Sequence, residues 1–135
     1  MNTPNELNAT LVVIKPDAVS RGLVGEILSR FEKKGFTIAE VWFGLMSREK
    51  AEKLYSVHKD KHFFDGLCSF MCGGESMVIH FLRENAIDEA RKLLGDPDKA
   101  PGTIRGDFQT STRANVIHAS DSWQSYLHEK GVFFI

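Results

Sequence analysis

Histidine is the side chain of this sequence best suited to proton or group transfer near neutral pH, because imidazole titrates close to that range. The sequence contains five: His58, His62, His80, His118 and His128. Polar surroundings predict solvated surface side chains for His58, His62 and His128. The apolar run around His80 favours a satisfied histidine in the core or on a sheet face.

His118 differs from the other four in its neighbours. It follows the short apolar run Val116–Ile117 and is followed by the small residue Ala119. A small neighbour leaves the imidazole accessible, and an attacking nucleophile needs that access. Spacing alone does not decide between a functional and a structural role for His118.

Phosphate binding by a glycine-rich loop has no support, since the sequence contains neither G-x-x-x-x-G-K-[ST] nor G-x-G-x-x-G. Scattered cations can hold phosphates instead, and the candidates are Lys15, Arg91 and Arg105. Gly102 and Gly106 flank Arg105 and allow the backbone to approach a ligand, while its guanidinium offers a planar fork to phosphate oxygens. On residue type alone, solvated surface charges are the commoner explanation for all three cations.

The elements that must position these side chains follow from hydrophobic periodicity. Apolar or β-branched runs predict strands at residues 10–14, 36–45, 76–82 and 132–135. Helical spacing predicts helices at residues 24–34, 47–55, 60–72, 87–94 and 121–130, with a long loop at 96–111 of a kind that often carries function. The resulting order indicates an α/β or α+β domain, and periodicity does not separate a ferredoxin-like sheet from a doubly wound one.

Composition narrows the class of protein. The 135 residues are 42% apolar and 26% charged, which predicts one packed domain at residues 9–135 behind a flexible tail at 1–8. The net charge of −1 argues against broad binding to nucleic acid or to anionic membranes. No apolar segment has membrane-spanning length and the start lacks a signal-peptide core, so we expect no membrane association and a cytoplasmic location. Cys68 and Cys72 are expected to be structural thiols, because two thiols alone do not make a zinc site.

Four segments of the sequence resemble the nucleoside diphosphate kinase family. They are Asn115–Asp121 (N-V-I-H-A-S-D), Ile14–Val19 (I-K-P-D-A-V), Arg21–Ile27 (R-G-L-V-G-E-I) and Pro101–Asp107 (P-G-T-I-R-G-D). The first is similar to the family signature N-x-x-H-G/A-S-D, and all four occur in the family order with similar spacing. The resemblance implies an α+β fold of ferredoxin-like type (β-α-β-β-α-β), in which helices cover a four-stranded antiparallel sheet.

The resemblance implies a role for each residue around the reacting phosphate. His118 matches the histidine that becomes phosphorylated, and Glu129 matches the carboxylate that accepts a hydrogen bond from its ring. Ser120 matches a side chain near this histidine, and Tyr55 matches a tyrosine beside the γ-phosphate. Asp121 matches a residue near the bound Mg²⁺.

The resemblance also implies the residues that bind the nucleotide. The groups that contact the phosphates and sugar of the nucleotide in this family are matched here by Lys15, Arg91, Arg105 and Asn115. The hydrophobic clamp on the base matches Phe63 and Leu67.

The activity implied is that of a nucleoside diphosphate kinase. In this family the γ-phosphate of a nucleoside triphosphate, mainly ATP, passes reversibly to a nucleoside diphosphate by a ping-pong, Mg²⁺-dependent mechanism that maintains triphosphate pools. The partners implied are nucleoside di- and triphosphates and further copies of the chain, as a hexamer, a tetramer or a dimer. No specific nucleic acid is expected as a partner.

The sequence departs from the family pattern between Gly95 and Pro101, where the connecting segment is short. Pro97 stands where common members have a threonine that contacts phosphate, and proline offers neither a hydroxyl nor an N–H. The C terminus is short as well, and this keeps the three oligomeric states open. Ala119 replaces the commoner glycine and adds one methyl group beside His118.

Two other classes of function compete with a kinase. A catalytically silent nucleotide-binding or DNA-associated relative is disfavoured by His118 with its cationic partners and by the net charge of −1. Without the family resemblance, a ferredoxin-like module that binds a small molecule is the second candidate.

Overall fold

The structure is a computed structural model that describes residues 8–96 and 98–134. The expected flexible tail at 1–8 therefore lies outside the described residues except for Asn8, and so does the expected loss of a phosphate contact at Pro97. Among the helices within these two ranges, none combines the length and apolar character needed to cross a membrane.

A four-stranded antiparallel sheet organises the fold. Its strands are β1 (Ala9–Ile14), β2 (Thr37–Leu45), β3 (Glu75–Leu82) and β4 (Ile117–Ala119). They lie in the order β2-β3-β1-β4, and every neighbouring pair is antiparallel. This arrangement confirms the expected ferredoxin-like α+β fold and excludes a doubly wound parallel sheet.

Helices cover both faces of the sheet. Those within the described ranges are α1 (Pro16–Ser20), α2 (Val24–Lys33), α3 (Arg48–Leu54), α4 (Phe64–Cys72), α5 (Ala86–Leu94), α6 (Ile104–Phe108) and α7 (Trp123–Phe133), with a 3-10 turn at Ser56–His58. Helices α1, α2, α5 and α6 contribute to one core cluster, and α3, α4 and α7 contribute to the other.

Strand β1 divides these two cores because its side chains alternate between the faces of the sheet. Val12 and Ile14 pack into the first cluster, whereas Leu11 and Val13 pack into the second. All six residues of β1 are buried. The site residues that follow β1 therefore begin from a fixed central strand.

Strand β2 forms one edge of the sheet and contains a register irregularity between Ile38 and Glu40. An extra residue in one strand shifts the alternation by one position, which explains why Ile38 lies three residues before Val41 while Val41 and Phe43 follow the usual spacing of two. These three and Leu45 remain between 38% and 64% exposed.

Two expectations about local structure were wrong. The strand expected at 132–135 does not form in the described part of this segment, because α7 continues through Phe133, whose ring packs 5.2 Å from that of Trp42. The loop expected at 96–111 contains helix α6, which begins where the Thr103 hydroxyl accepts a 3.0 Å hydrogen bond from the Gly106 N–H. The fourth strand of the sheet is instead the short apolar segment that contains His118.

Candidate active site

His118 lies in the middle of β4, opposite Val13 of the central strand. The chain turns sharply just before it, because Val116 has a φ of 67° and the Ile117 N–H donates to the Asn115 carbonyl at 2.8 Å. A β-branched residue with positive φ is strained, and such strain is concentrated at functional sites. The turn is held by Asp17, whose carboxylate accepts a 3.2 Å hydrogen bond from the Val116 N–H.

The His118 ring is oriented by a buried carboxylate. Nε2 of His118 lies 3.0 Å from Oε2 of Glu129 on α7, and the other oxygen of Glu129 accepts a 2.6 Å hydrogen bond from the Ser120 hydroxyl. An ionised carboxylate can only accept, so the proton of a neutral His118 ring belongs on Nε2. This tautomer leaves the lone pair on Nδ1, and within residues 8–96 and 98–134 no hydrogen bond occupies that atom.

Tyr55 packs edge-on against His118, with ring centroids 5.8 Å apart. Its hydroxyl is buried and has no hydrogen-bond partner among the described residues. Burial raises the pKa of Tyr55, and the nearby carboxylate of Glu129 acts in the same direction. The hydroxyl therefore keeps its proton and is available as a donor.

A cavity of about 450 Å³ opens beside these rings. It is lined by Lys15, Tyr55, His58, His62, Phe63, Leu67, Thr112, Arg113, Asn115 and His118. The volume falls within the range of small-molecule sites. Six of the residues singled out from the sequence thus share one cavity, with Phe63 and Leu67 supplying apolar surface.

Lys15 is a buried cation at the end of the central strand. It is 4% exposed, and its ammonium donates a 2.7 Å hydrogen bond to Oδ1 of Asn115. Burial lowers the pKa of Lys15 to about 8, and the positive charge of Arg105 adds to the effect while Asp17 opposes it. Among the described residues no carboxylate forms an ion pair with the Lys15 ammonium, and a buried ammonium of this kind favours a bound anion.

Arg91 and Arg105 flank His118 through the backbone of β4. Arg105 donates a 2.7 Å hydrogen bond to the carbonyl of Ile117, and Arg91 donates one of 3.0 Å to the carbonyl of Ala119. These carbonyls belong to the residues directly before and after the histidine. The two guanidiniums are therefore fixed beside His118, although they do not line the cavity itself.

Asp96 forms ion pairs with both guanidiniums, at 3.5 Å from Arg105 and in close contact with Arg91. Burial lowers the pKa of Arg105, and repulsion from Arg91 contributes. Two adjacent guanidiniums that share one carboxylate retain hydrogen-bonding capacity for a further anion, and the buried Nε of Arg105 has no partner among the described residues.

Asp121 is the residue matched to the neighbourhood of a metal. Its carboxylate accepts a 2.6 Å hydrogen bond from the Ser125 hydroxyl, which lowers the pKa of Asp121 together with the nearby charge of Arg91. Within the described ranges, no group of three or more His, Cys, Asp or Glu side chains could hold a metal ion. Mg²⁺ commonly takes one or two carboxylates plus substrate phosphates and waters, so a lone Asp121 fits a metal that arrives with a nucleotide.

Sequence reasoning missed four residues that line the cavity: His58, His62, Thr112 and Arg113. The expectation of a solvated His58 was wrong, because its ring is half-buried and lies 5.3 Å from that of Phe63. The helical spacing between Tyr55 and His58 could have indicated a shared face. Arg113 reaches α4 so closely that a Cβ added to Gly66 would meet its guanidinium at 2.5 Å, a contact that no local pattern predicts.

Comparison with known proteins identifies similar chains. The family model described as nucleoside diphosphate kinase matches residues 8–135. A nucleoside diphosphate kinase of Hyperthermus butylicus is 50% identical over 128 residues, which cover 93% of this chain and 90% of that protein. One of Methanocaldococcus jannaschii is 48% identical over 128 residues, covering 93% and 91%.

Solved structures agree with these relatives. A crystal structure of the Aquifex aeolicus nucleoside diphosphate kinase has a TM-score of 0.91 and 36% identity, and the alignment covers 96% of each chain. The structure of a halophilic nucleoside diphosphate kinase from Halobacterium salinarum in complex with CDP has a TM-score of 0.90 and 38% identity, covering 95% of this chain and 88% of that one.

Proposed function

Since the chain belongs to the nucleoside diphosphate kinase family, and is therefore a phosphotransferase, we propose that it transfers the γ-phosphate of a nucleoside triphosphate to a nucleoside diphosphate through a phosphorylated His118. The two half-reactions share one site in this proposal, which gives ping-pong kinetics.

The observation that carries the proposal is the hydrogen bond between Nε2 of His118 and the buried carboxylate of Glu129. It keeps the proton on one ring nitrogen and leaves a lone pair on Nδ1. A nitrogen nucleophile with a fixed tautomer, at the wall of a cavity with a buried cation, suits attack on a phosphorus atom.

The energetics of the exchange favour histidine over the nearby serines. Both substrates and products contain a phosphoanhydride, so the covalent intermediate must have a similar transfer potential. A phosphoramidate on His118 meets this condition, whereas a phosphoester on Ser120 or Ser122 would be too stable to return the phosphate. The single proton of the Ser120 hydroxyl is also already donated to Glu129 at 2.6 Å, with the Leu11 carbonyl a more distant acceptor at 3.3 Å.

Charge on the transferring phosphate would be met by Lys15, Arg91 and Arg105. Positioned cations are the main source of rate enhancement in phosphoryl transfer. The Tyr55 hydroxyl, which has no hydrogen-bond partner in the part of the chain that the structure describes, supplies a further donor close to His118. This division of labour assigns the bond-forming step to His118 and electrostatic stabilisation to its neighbours.

The base of the nucleotide would stack on Phe63 and contact Leu67. Stacking on an aromatic face tolerates both purines and pyrimidines. The Halobacterium salinarum relative was solved with CDP, which supports a nucleotide as the ligand of this cavity.

Mg²⁺ would reach the site bound to nucleotide phosphates, and Asp121 would face the water molecules that the ion retains. The ion neutralises phosphate oxygens when bound. Asp121 is held for this role by Ser125, whose hydroxyl fixes the carboxylate at 2.6 Å.

We further propose a cytoplasmic homo-oligomer. Edge strand β2 exposes Ile38, Val41, Phe43 and Leu45, and an exposed apolar edge strand is a template for pairing with another copy. The choice among dimer, tetramer and hexamer can be made by light scattering on the purified protein.

A coupled assay with ATP, Mg²⁺ and a deoxynucleoside diphosphate tests the proposed activity. We expect turnover that is lost in His118→Ala and kept in Cys72→Ala, a half-buried thiol on α4 that does not line the cavity. Binding of nucleotide without turnover would instead support a silent nucleotide-binding protein.

A further inference from the structure

His80 is a buried histidine that the proposed mechanism does not use. It is 5% exposed on β3, its Nδ1 lies 2.8 Å from Oε1 of Glu40 on β2, and its Nε2 lies 2.8 Å from the hydroxyl of Tyr126 on α7. The sequence expectation of a satisfied histidine is confirmed, but its partners join three elements. The chain Glu40–His80–Tyr126 therefore links the edge of the sheet to the helix that contains Glu129.

The side chains of His80 and His118 project from the same face of the sheet. On β1, His80 lies opposite Leu11 and His118 lies opposite Val13. Positions two residues apart on a strand share a face, so both rings project towards α7. On α7, Tyr126 and Glu129 are three residues apart and also share a face.

Apolar contacts hold helix α7 near its two ends, where the partly buried Trp123 and Phe133 pack on the second core cluster. The buried residues of α7 are Tyr126 and Glu129, and all eleven of its residues lie within the described ranges. Each of these two residues makes a polar contact with a histidine of the sheet. A sliding or rotation of α7 that broke one contact would therefore displace the other.

We propose that Glu40, His80 and Tyr126 are positioning residues that hold α7 in the register at which the Glu129 carboxylate meets Nε2 of His118. The inference rests on the proposed function, since it assigns a role in the orientation of the same nucleophile. It does not place any of the three residues in contact with the substrate.

The directions of the two hydrogen bonds that join Glu40, His80 and Tyr126 follow from the Glu40 carboxylate. The Glu40 carboxylate accepts, so Nδ1–H of a neutral His80 donates to it and Nε2 accepts from the Tyr126 hydroxyl. Burial raises the pKa of Tyr126 to about 12, and the charge of Glu40 adds to this. The phenol therefore keeps the proton that it donates.

The test compares Tyr126→Phe with a control substitution at Ile79, the residue before His80 on β3. Tyr126→Phe removes one hydroxyl and retains the ring. Ile79→Val removes one methylene next to His80, but the side chain of Ile79 packs into the first core cluster on the opposite face of the sheet. The substitution therefore lowers stability without altering the hydrogen bonds among Glu40, His80 and Tyr126. Each change is made alone and together with Glu129→Gln, and the rate of phosphoenzyme formation from ATP is measured by rapid quench.

If Tyr126 acts through Glu129, its effect depends on that carboxylate. We expect Tyr126→Phe to slow phosphoenzyme formation about tenfold in the parent chain and less than about twofold in the Glu129→Gln background. Ile79→Val should leave the rate unchanged in both backgrounds. Equal slowing by Tyr126→Phe in both backgrounds, or no slowing in the parent, would overturn the inference.

A second measurement does not depend on activity. In ¹⁵N-labelled protein, we expect the Nε2–H resonance of His118, assigned by its absence in His118→Ala, to persist in Ile79→Val. In Tyr126→Phe it should broaden or exchange faster with solvent. An unchanged resonance in Tyr126→Phe would reject the positioning role. Absence of any phosphoenzyme in the parent chain would instead reject the proposed function and leave this comparison intact.

Discussion

Nε2 of His118 on β4 lies 3.0 Å from Oε2 of Glu129 on α7, and this distance links the last strand of the sheet to the last helix of the chain. The carboxylate is buried and shared with the hydroxyl of Ser120. One acid thereby fixes both the tautomer and the direction of the imidazole. The proposed chemistry uses this contact to leave the Nδ1 lone pair of His118 free for attack.

Replacing the acid should slow the chemistry without abolishing it. Glu129→Gln keeps the shape and an acceptor oxygen but loses the charge that holds the proton on Nε2. We expect the rate of phosphoenzyme formation to fall by roughly 10- to 100-fold. Glu26→Gln, which removes an exposed carboxylate paired with Arg30, is the control and should keep the parent rate. Parent activity in Glu129→Gln would contradict the orienting role.

Arg105 should matter for rate more than for folding. Arg105→Ala removes a cation beside His118, and we expect kcat to fall by about 10²- to 10³-fold. Arg21→Ala is a matched control, because Arg21 also donates a 2.7 Å hydrogen bond to a backbone carbonyl, that of Phe108. Thermal unfolding of both variants separates the two roles, since collapse of the Arg105→Ala fold would show that the residue is structural.

The part of this site that the sequence predicts is the part built from neighbours along the chain. His118 and Ser120 lie within one segment, and their pattern identifies them. The strand expected at 132–135 failed because an apolar run is equally compatible with the end of a helix that packs Phe133 on Trp42. Short-range periodicity contains no information about which tertiary surface covers the run.

Contacts between distant segments could not be read from the sequence for the same reason. Asp96 pairs with both Arg91 and Arg105, and Tyr126 meets His80 across 46 positions. Their side chains are oriented by the packing of separate elements. A carboxylate in a loop and a tyrosine in a helix have no local signature that distinguishes such roles from solvation.

Lys15 gives the enzyme a basic pH limit. Because burial lowers the pKa of Lys15 to about 8, the free enzyme loses this cation as the pH rises through that value. We expect kcat/KM for the nucleotide to decline above about pH 8 in the parent chain. A Lys15→Met variant should show a low value without this decline. A parent profile that stays flat to pH 9.5 would contradict the burial of a functional ammonium.

The lowered pKa of Lys15 reduces activity at high pH, but it increases stability over the same range. The unfolded chain holds the Lys15 proton up to its ordinary pKa of 10.5, so between about pH 8 and 10.5 the unfolded state binds more protons than the native state. The contribution of this residue to the free energy of unfolding therefore rises over that interval. Urea unfolding of the parent and of Lys15→Met, each at pH 7 and pH 10, measures this contribution as the difference in free energy of unfolding between the two proteins.

Phe63 should affect binding of every base to a similar degree. Loss of one stacking face costs about 1–3 kcal/mol, so Phe63→Ala should weaken nucleotide binding by about 5- to 150-fold for purines and pyrimidines alike. Phe63→Tyr retains the face and serves as the control. Calorimetric titration with ADP, GDP, CDP and dTDP checks the pattern, and a loss confined to one base would show that the ring reads an edge instead.

Labelling the protein with [γ-³²P]ATP tests the central claim most directly. We expect a covalent label that is labile in acid and stable in alkali, is discharged by added nucleoside diphosphate, and is absent from His118→Ala. A label that persists in His118→Ala, or one stable to acid as a phosphoserine is, would contradict the assignment of His118 as the nucleophile.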